Sequence, residues 1–232
     1  FQDFWQDVIQ QSHEIESLSR ESWALWEPDS YEFLVLLFAA LLAKKQVLLP
    51  PHRVSDLEKE LAEQNIYFLQ RQPISSTQNQ SIELNLDDAF LNQAQIYFYT
   101  SGSTGQPKKI PRSLRQLLNE VQGLDASFQL PEQAIAIATV SHQHIYGLLF
   151  KLLWPLASGR CFYQAQLAFP EDVADIQKKL VHFKIENYVI SSPALLKRWT
   201  NDVLLQDCLT VYSSGGKLES GVRPYVNRPI TE

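Results

Sequence analysis

Residues 95–108 have the sequence QIYFYTSGSTGQPK, which is the strongest indication of the fold in this chain. The first five of them are mostly aromatic or apolar, which predicts a β-strand. Residues 100–106 form a turn rich in serine, threonine and glycine. Pro111, and Ser113 followed three residues later by Gln116, are signals that begin a helix. We therefore predict a strand, a polar turn and a helix in this order.

Patterns typical of helices and strands alternate from residue 29 onward, which indicates an α/β fold with mostly parallel sheets flanked by helices. Asp29 with Glu32, and Ser55 with Glu58, form capping-box patterns at the start of two helices. The apolar run 145–157 predicts a further helix, and the spacing of Val173, Ile176, Leu180 and Phe183 predicts another, amphipathic one. Strands are predicted at residues 46–49, 66–69, 95–99, 134–140, 160–163, 187–190 and 209–212.

A polar stretch divides the chain. Residues 70–81 contain few apolar side chains and predict an exposed loop that joins two lobes. We therefore expect an N-terminal α/β lobe over residues 1–94 and a second lobe over residues 95–232.

The composition argues against several functions. Twenty basic and 26 acidic side chains give a net charge of −6 without a concentrated basic stretch, so no nucleic-acid partner is expected. The longest apolar run, residues 33–43, is shorter than the roughly 18 residues that cross a bilayer, so no membrane span is expected. The N-terminal residues resemble no secretory signal, which predicts a cytoplasmic location. Cys161 and Cys208 are expected to be reduced, inert thiols.

The turn after residue 99 has the chemistry of an anion site. Its two glycines permit turns in which successive N–H groups face one anion, and Lys108 adds positive charge. Hydroxyl donors come from Thr100, Ser101, Ser103 and Thr104. The spacing of Gly102 and Gly105 is neither that of a Walker A loop nor that of a dinucleotide fingerprint or a nucleophile elbow. A polyphosphate site is therefore predicted, and a Ser/Gly-rich surface turn is the alternative.

This string resembles the phosphate-binding loop of the adenylate-forming superfamily, which includes acyl-CoA synthetases, aryl-acid ligases and adenylation domains. Four further segments resemble that family in the same order: HIYG at 144–147, WPLASG at 154–159, SPALL at 192–196 and SGGKL at 214–218. The resemblance covers residues 95–232. It implies the N-terminal, large-domain part of an adenylate-forming enzyme fold, with residues 95–232 as an incomplete phosphate-loop and acyl-pocket lobe and the small C-terminal domain absent.

The resemblance implies that a carboxylic acid reacts with ATP in the presence of Mg²⁺, and that the acyl group then passes to CoA or to the phosphopantetheine of an acyl carrier protein. Lys108 and His144 would be catalytic. The nucleotide would be held by Thr100, Ser101, Gly102, Ser103, Thr104, Gly105, Lys108, Gly215, Gly216 and Lys217, with Thr104 also at the metal. The acid would be held by His144, Tyr146, Gly147, Ser214 and Gly215.

The same resemblance also shows departures. The Tyr-Gly-x-Thr-Glu segment of the family, whose glutamate binds Mg²⁺, is not found, and Thr231 and Glu232 follow other residues. We therefore expect these residues to be an N-terminal part of a ligase that is inactive alone. The alternatives are a non-catalytic nucleotide-binding or structural module, and a kinase or NTPase. A metal site at His142 and His144 lacks a third ligand nearby in sequence.

Overall fold

The computed structural model describes residues 2–73, 86–100, 108–200, 208–218 and 229–231. The chain divides into two compact units, Phe1–Asn119 and Glu120–Glu232. Each unit is built around its own sheet. Among the described residues, no helix has the length and the apolar character needed to cross a bilayer.

The first unit contains a five-stranded sheet with the strand order β3-β1-β2-β4-β5. All its strand pairs are parallel except the last, because β4 and β5 form an antiparallel hairpin. The elements, in chain order, are α1 (Gln2–Glu16), β1 (Ser22–Ala24), α2 (Ser30–Leu42), β2 (Gln46–Leu49), α3 (Ser55–Glu63), β3 (Tyr67–Phe68), α4 (Asp88–Gln93), β4 (Gln95–Thr100), β5 (Lys108–Ser113) and the start of α5 (Leu114–Phe128).

The second unit contains a four-stranded parallel sheet with the order β6-β7-β8-β9. On one face, Ile137, Val189 and Val211 pack into a core with Val173 of α8. The elements are β6 (Ile135–Ala138), α6 (Ile145–Gly147), a π-helical segment (Leu148–Leu153), α7 (Trp154–Ala157), α8 (Pro170–His182), β7 (Asn187–Ser191), α9 (Pro193–Leu196), β8 (Val211–Ser213) and β9 (Ile230–Thr231). The predicted α/β class with mostly parallel sheets is thus confirmed.

Local capping signals place two helices as predicted. The Asp29 carboxylate accepts hydrogen bonds from the backbone N–H groups of Tyr31 and Glu32 at the start of α2. At the start of α5, the N–H of Ser113 donates to Gln116 Oε1 at 3.0 Å, and the N–H of Gln116 donates to Ser113 Oγ at 3.2 Å. This reciprocal pair is the capping box expected from the sequence.

Other expectations were wrong in detail. Pro111 does not begin a helix: it lies in β5, opposite Tyr97, because residues 108–113 pair with β4. Val54, rather than Ser55, is the N-cap of α3. Residues 160–163 form no strand and contribute only an isolated bridge from Phe162 to Ala136.

Several elements begin or end at residues other than those predicted from the sequence. The predicted helix 145–157 is interrupted by the π-helical segment, and α1, β1 and α4 have no counterpart among the predicted elements. The predicted lobe boundary lay after residue 94, whereas the compact units divide after Asn119, because β4 pairs with β2. Most of the predicted exposed loop 70–81 lies outside the described residues.

Candidate functional site

The predicted phosphate loop connects the two strands of the β4–β5 hairpin in the first unit. Thr100 and Lys108 are the last residues that pair before the loop. Lys108 is exposed at the start of β5. The loop residues Ser101, Gly102, Ser103, Thr104 and Gly105, and the side chain of Thr100, lie outside the described part of the chain.

The element after the predicted phosphate loop is a strand. The sequence predicted that a helix follows the turn, and a helix start carries a partial positive charge that favours anions. Instead, α5 begins only at Leu114, after the whole of β5. The predicted anion site therefore has no helix terminus directly after it.

Polar side chains of the second unit line up at the carboxyl ends of its strands. Ser191 ends β7 and pairs with Ser213, which ends β8. Thr139 follows β6 and donates a hydrogen bond from its hydroxyl to Ser191 Oγ at 2.8 Å. The carboxyl edge of a parallel sheet is where ligands bind in open α/β folds. This edge is the candidate site of the second unit.

The predicted glycine turn leaves this edge directly after β8. Ser214, Gly215, Gly216 and Lys217 are all exposed. Gly215 has a φ of +96°, a conformation that side chains with a Cβ adopt only under strain. The turn therefore presents exposed backbone at the position where the resemblance places the nucleotide base and the acid.

Three of the five predicted acid-binding residues lie at the start of α6. His144 is the exposed N-cap residue, and Tyr146 and Gly147 follow within the helix. Burial raises the pKa of the Tyr146 phenol, and the neighbouring backbone of Ser191 partly opposes that shift. The Tyr146 hydroxyl has no hydrogen-bond partner among the described residues. Its ring contacts Phe150, which in turn contacts Tyr212 of β8, so α6 lies near that strand.

A cluster of aromatic rings lies beside Tyr146. The ring of Phe150 is 4.8 Å from that of Tyr146 and 5.4 Å from that of Tyr212, measured between centroids. Trp154 and Tyr188 extend the cluster. Because aromatic contacts at these distances are favourable, the rings pack into a mostly apolar wall between α6 and β8.

An ion pair between Asp125 and Arg160 contacts Trp154 at one end of this wall. Trp154 Nε1 donates to Asp125 Oδ1 at 2.9 Å, and Arg160 Nη1 donates to the same oxygen at 2.8 Å. Arg160, followed by Trp154, holds the pKa of the Asp125 carboxyl below its usual range. Sequence reasoning missed Asp125, Arg160 and Tyr212, because no local pattern marks contacts across 29 or 35 residues.

Metal ligands are scarce in the described ranges. There, no three histidine, cysteine, aspartate or glutamate side chains are grouped closely enough to hold a metal ion. His142 is buried and His144 is exposed. Thr104, the predicted metal contact, lies outside these ranges.

Comparison with known proteins defines the class of this chain. The profile of the family described as AMP-binding enzyme matches residues 35–216. The chain therefore belongs to the AMP-binding enzyme family, as the sequence resemblance indicated.

Curated relatives match short parts of the chain. A medium-chain-fatty-acid–acyl-carrier-protein ligase, JamA of Moorena producens (strain JHB), is 35% identical over 72 residues, which cover 31% of this chain and 12% of that protein. The mitochondrial malonate–CoA ligase of Mus musculus is 32% identical over 73 residues, which cover 32% of this chain and 12% of that protein. The matches thus span a small part of the length of these relatives.

Solved structures share the fold over nearly the whole chain. An O-succinylbenzoate CoA synthetase of Bacillus subtilis, solved with AMP, superposes with a TM-score of 0.74 at 13% identity and covers 99% of this chain and 65% of that one. A fatty acyl-adenylate ligase of L. pneumophila, solved with acyl adenylate and pyrophosphate, has a TM-score of 0.66 at 17% identity and covers 96% of this chain and 45% of that one. At these identities the likeness shows the fold alone.

Proposed function

We propose that this chain is the part of an AMP-forming acid–thiol ligase that binds the phosphates of ATP and the carboxylic acid. The observation that carries the proposal is the sequence TSGSTGQPK at 100–108, between β4 and β5, in a chain that belongs to the AMP-binding enzyme family. The solved relatives with AMP or with acyl adenylate and pyrophosphate support it. The cytoplasmic location expected from the sequence stays a prediction.

The proposed reaction has two steps. A carboxylate oxygen of the acid attacks the α-phosphorus of ATP, the bond from that phosphorus to the bridging oxygen breaks, and pyrophosphate leaves with that oxygen. The thiol of CoA, or of a carrier protein's phosphopantetheine, then attacks the acyl carbon, and AMP leaves. Thr104 would contact Mg²⁺, which would supply positive charge that offsets the phosphates when bound. The protein contributes position and electrostatic stabilisation.

The phosphates are assigned to the first unit's loop. The hydroxyls of Thr100, Ser101, Ser103 and Thr104 and the N–H groups around Gly102 and Gly105 would donate to the β- and γ-phosphates. Lys108, exposed beside the loop, would pair with a phosphate oxygen. Hydrogen bonds from a charged donor to an ionised acceptor are the stronger kind, so Lys108 is expected to contribute more than any one hydroxyl.

The acid is assigned to the carboxyl edge of the second sheet. His144 would contact the reacting carboxylate, while Tyr146 and Gly147 would line the pocket. The exposed backbone of Ser214, Gly215 and Gly216 would lie along the acid and the base, with Lys217 at its end. The aromatic cluster beside Tyr146 favours an apolar acid tail, and aryl and medium-chain acyl acids both fit this chemistry.

Calorimetry tests the proposal on the chain as it exists. Pyrophosphate, ATP and a non-hydrolysable acyl-adenylate analogue are titrated into the wild-type chain and into Lys108→Ala. Loss of a charge-assisted contact should weaken binding of pyrophosphate and ATP about tenfold or more. Lys59→Ala is the matched control, because Lys59 is an exposed lysine of the same unit and its side chain is 78% accessible.

One result would contradict the proposal. Binding of none of the three ligands would favour a structural module that keeps the loop sequence without its chemistry. Carboxylate-dependent exchange between ATP and pyrophosphate, catalysed by these 232 residues alone, would instead show that the expected inactivity of this chain is wrong, and the ligase assignment would stand.

A further inference from the structure

Lys109 follows Lys108 in β5 but has a different environment. Its Nζ donates a hydrogen bond to Gln64 Oε1 at 2.7 Å. Gln64 is the C-cap residue of α3. Lys109 therefore joins the strand that leaves the phosphate loop to the end of a helix that lies 45 residues earlier in the chain.

Tyr99, the residue opposite Lys109, also contacts α3. Tyr99 pairs with Lys109 across the hairpin and packs with Leu57 and Leu61 of α3. The ammonium of Lys109 also lies 5.9 Å from the centroid of the Tyr99 ring, within the range of a cation–π contact. Burial raises the pKa of Tyr99 to about 12, so its phenol is neutral beside this cation at physiological pH. Both members of the pair thus contact α3.

The next pair closes the loop. Thr100 and Lys108 are one residue nearer to the loop than Tyr99 and Lys109. Because side chains alternate along a strand, the side chain of Lys108 points to the face opposite that of Lys109. Holding Lys109 against α3 therefore also sets the direction in which Lys108 presents its ammonium.

We propose that Lys109 is a positioning residue: through Gln64 and Tyr99 it holds the base of the β4–β5 hairpin against α3, so that Lys108 faces the phosphate. The proposal rests on the proposed function of the loop and adds to it a residue that does not touch the ligand. It differs from a general attraction between a lysine and an anion, because it requires Gln64, an uncharged residue.

Calorimetry of pyrophosphate binding to the whole chain distinguishes a positioning role of Lys109 from a direct attraction between its charge and the anion. Lys109→Met removes the ammonium and keeps most of the stem, while Gln64→Met removes the acceptor without changing the net charge. Each variant should weaken pyrophosphate binding about three- to tenfold, the double variant should be no weaker than Lys109→Met, and Lys109→Arg should restore most of the affinity. Lys59→Met controls for the loss of one positive charge in the same unit.

Amide hydrogen exchange gives a second readout that needs no ligand. In the free chain, Lys109→Met and Gln64→Met should both speed exchange of the hairpin amides at residues 99, 100 and 108–110, with no change in the second unit. If the wild-type chain fails to bind pyrophosphate, the proposed function fails, and exchange still decides whether Lys109 holds the hairpin.

The proposal is overturned if Gln64→Met exchanges its hairpin amides at the wild-type rate. It is also overturned if Lys109→Met weakens pyrophosphate binding while Gln64→Met does not, because Lys109 would then act only through its charge.

Discussion

A Cβ atom on Gly147 would lie 2.0 Å from the carbonyl oxygen of Ser141. The carbonyl carbon of Ser141 would be 2.7 Å away. Both atoms belong to the backbone, which cannot turn aside as the end of a side chain can. The glycine of the HIYG segment therefore has a structural reason to be glycine: it lets the turn before α6 approach the helix.

We expect Gly147→Ala to destabilise the protein by about 3 kcal/mol, because the backbone must shift to relieve the overlap. Urea unfolding, followed by circular dichroism, measures the change. Gly123→Ala is the matched control: Gly123 lies within α5 and its added Cβ would meet no atom within 4 Å. That substitution should stabilise by about 0.5–1 kcal/mol, because alanine is the better helix former. Equal effects of the two variants would contradict the close approach.

Asp125 gives a prediction of pH dependence. The folded state lowers the pKa of this carboxyl, mainly through Arg160, from its ordinary value of 3.8. The stability that it contributes is therefore fully present above that value and is lost as the pH falls through the lower, folded pKa. We expect Asp125→Asn to be less stable than the wild type at pH 7, and the difference to shrink below about pH 4.

Unfolding midpoints in urea from pH 7 to pH 3 measure this difference. Arg160 is nearly buried, with 5% of its side chain accessible, so losing its ionised partner is costly. Asp175→Asn is the control, because Asp175 and Lys178 form an exposed pair that is expected to contribute less than about 0.5 kcal/mol. A pH-independent gap between Asp125→Asn and the wild type would show that the ion pair is not its cause.

These residues show what the sequence reveals and what it does not. The caps at Asp29 and Ser113 were predictable, because an N-cap residue and its partners lie within four residues of each other. Asp125 and Arg160 were not, because their contact depends on how α5 and the segment after α7 pack. Pro111 misled for a related reason: proline suits a helix start, yet it also suits an edge strand, and β5 is the last strand of its sheet.

The candidate site divides in the same way. The loop, the HIYG segment and the glycine turn could be recognised, in this order, because each is a short contiguous sequence motif. The strand-ending serines and the aromatic cluster could not, since Phe150 and Tyr212 meet only when the parallel sheet forms. Lys109 has no sequence signal of its role, because its partner Gln64 lies at the end of α3, 45 residues earlier in the chain.

The buried hydroxyl of Tyr188 is expected to lower the stability of the folded state. Its side chain is fully buried, and its hydroxyl has no hydrogen-bond partner among the described residues. Burial also raises the pKa of the phenol. We expect Tyr188→Phe to stabilise the protein by about 1 kcal/mol, because the variant keeps the ring contacts and removes an unsatisfied polar group.

Thermal or urea unfolding measures the effect, with Tyr31→Phe as the comparison. Tyr31 donates to Asp7 Oδ2 at 3.0 Å, so the same atomic change should there cost about 1 kcal/mol. A destabilised Tyr188→Phe would show that an ordered water satisfies the hydroxyl.

The start of α3 offers a stabilising substitution. Its N-cap residue is Val54, which has extended backbone angles and no side-chain hydrogen bond to the helix. Asp29 in the equivalent position of α2 accepts two backbone hydrogen bonds. Val54→Asn supplies such an acceptor without adding charge to a first turn that already contains Asp56 and Glu58.

We expect Val54→Asn to stabilise the protein by about 1 kcal/mol and Asp29→Ala to destabilise it by a similar amount. Val54 is 48% exposed, so little apolar burial is lost on substitution. Val54→Ala separates the two causes, because it removes the valine without adding a cap and should change the free energy of unfolding by less than about 0.5 kcal/mol. If Val54→Asn and Val54→Ala unfold at the same urea concentration, the new side chain does not cap α3, and the gain assigned to it is wrong.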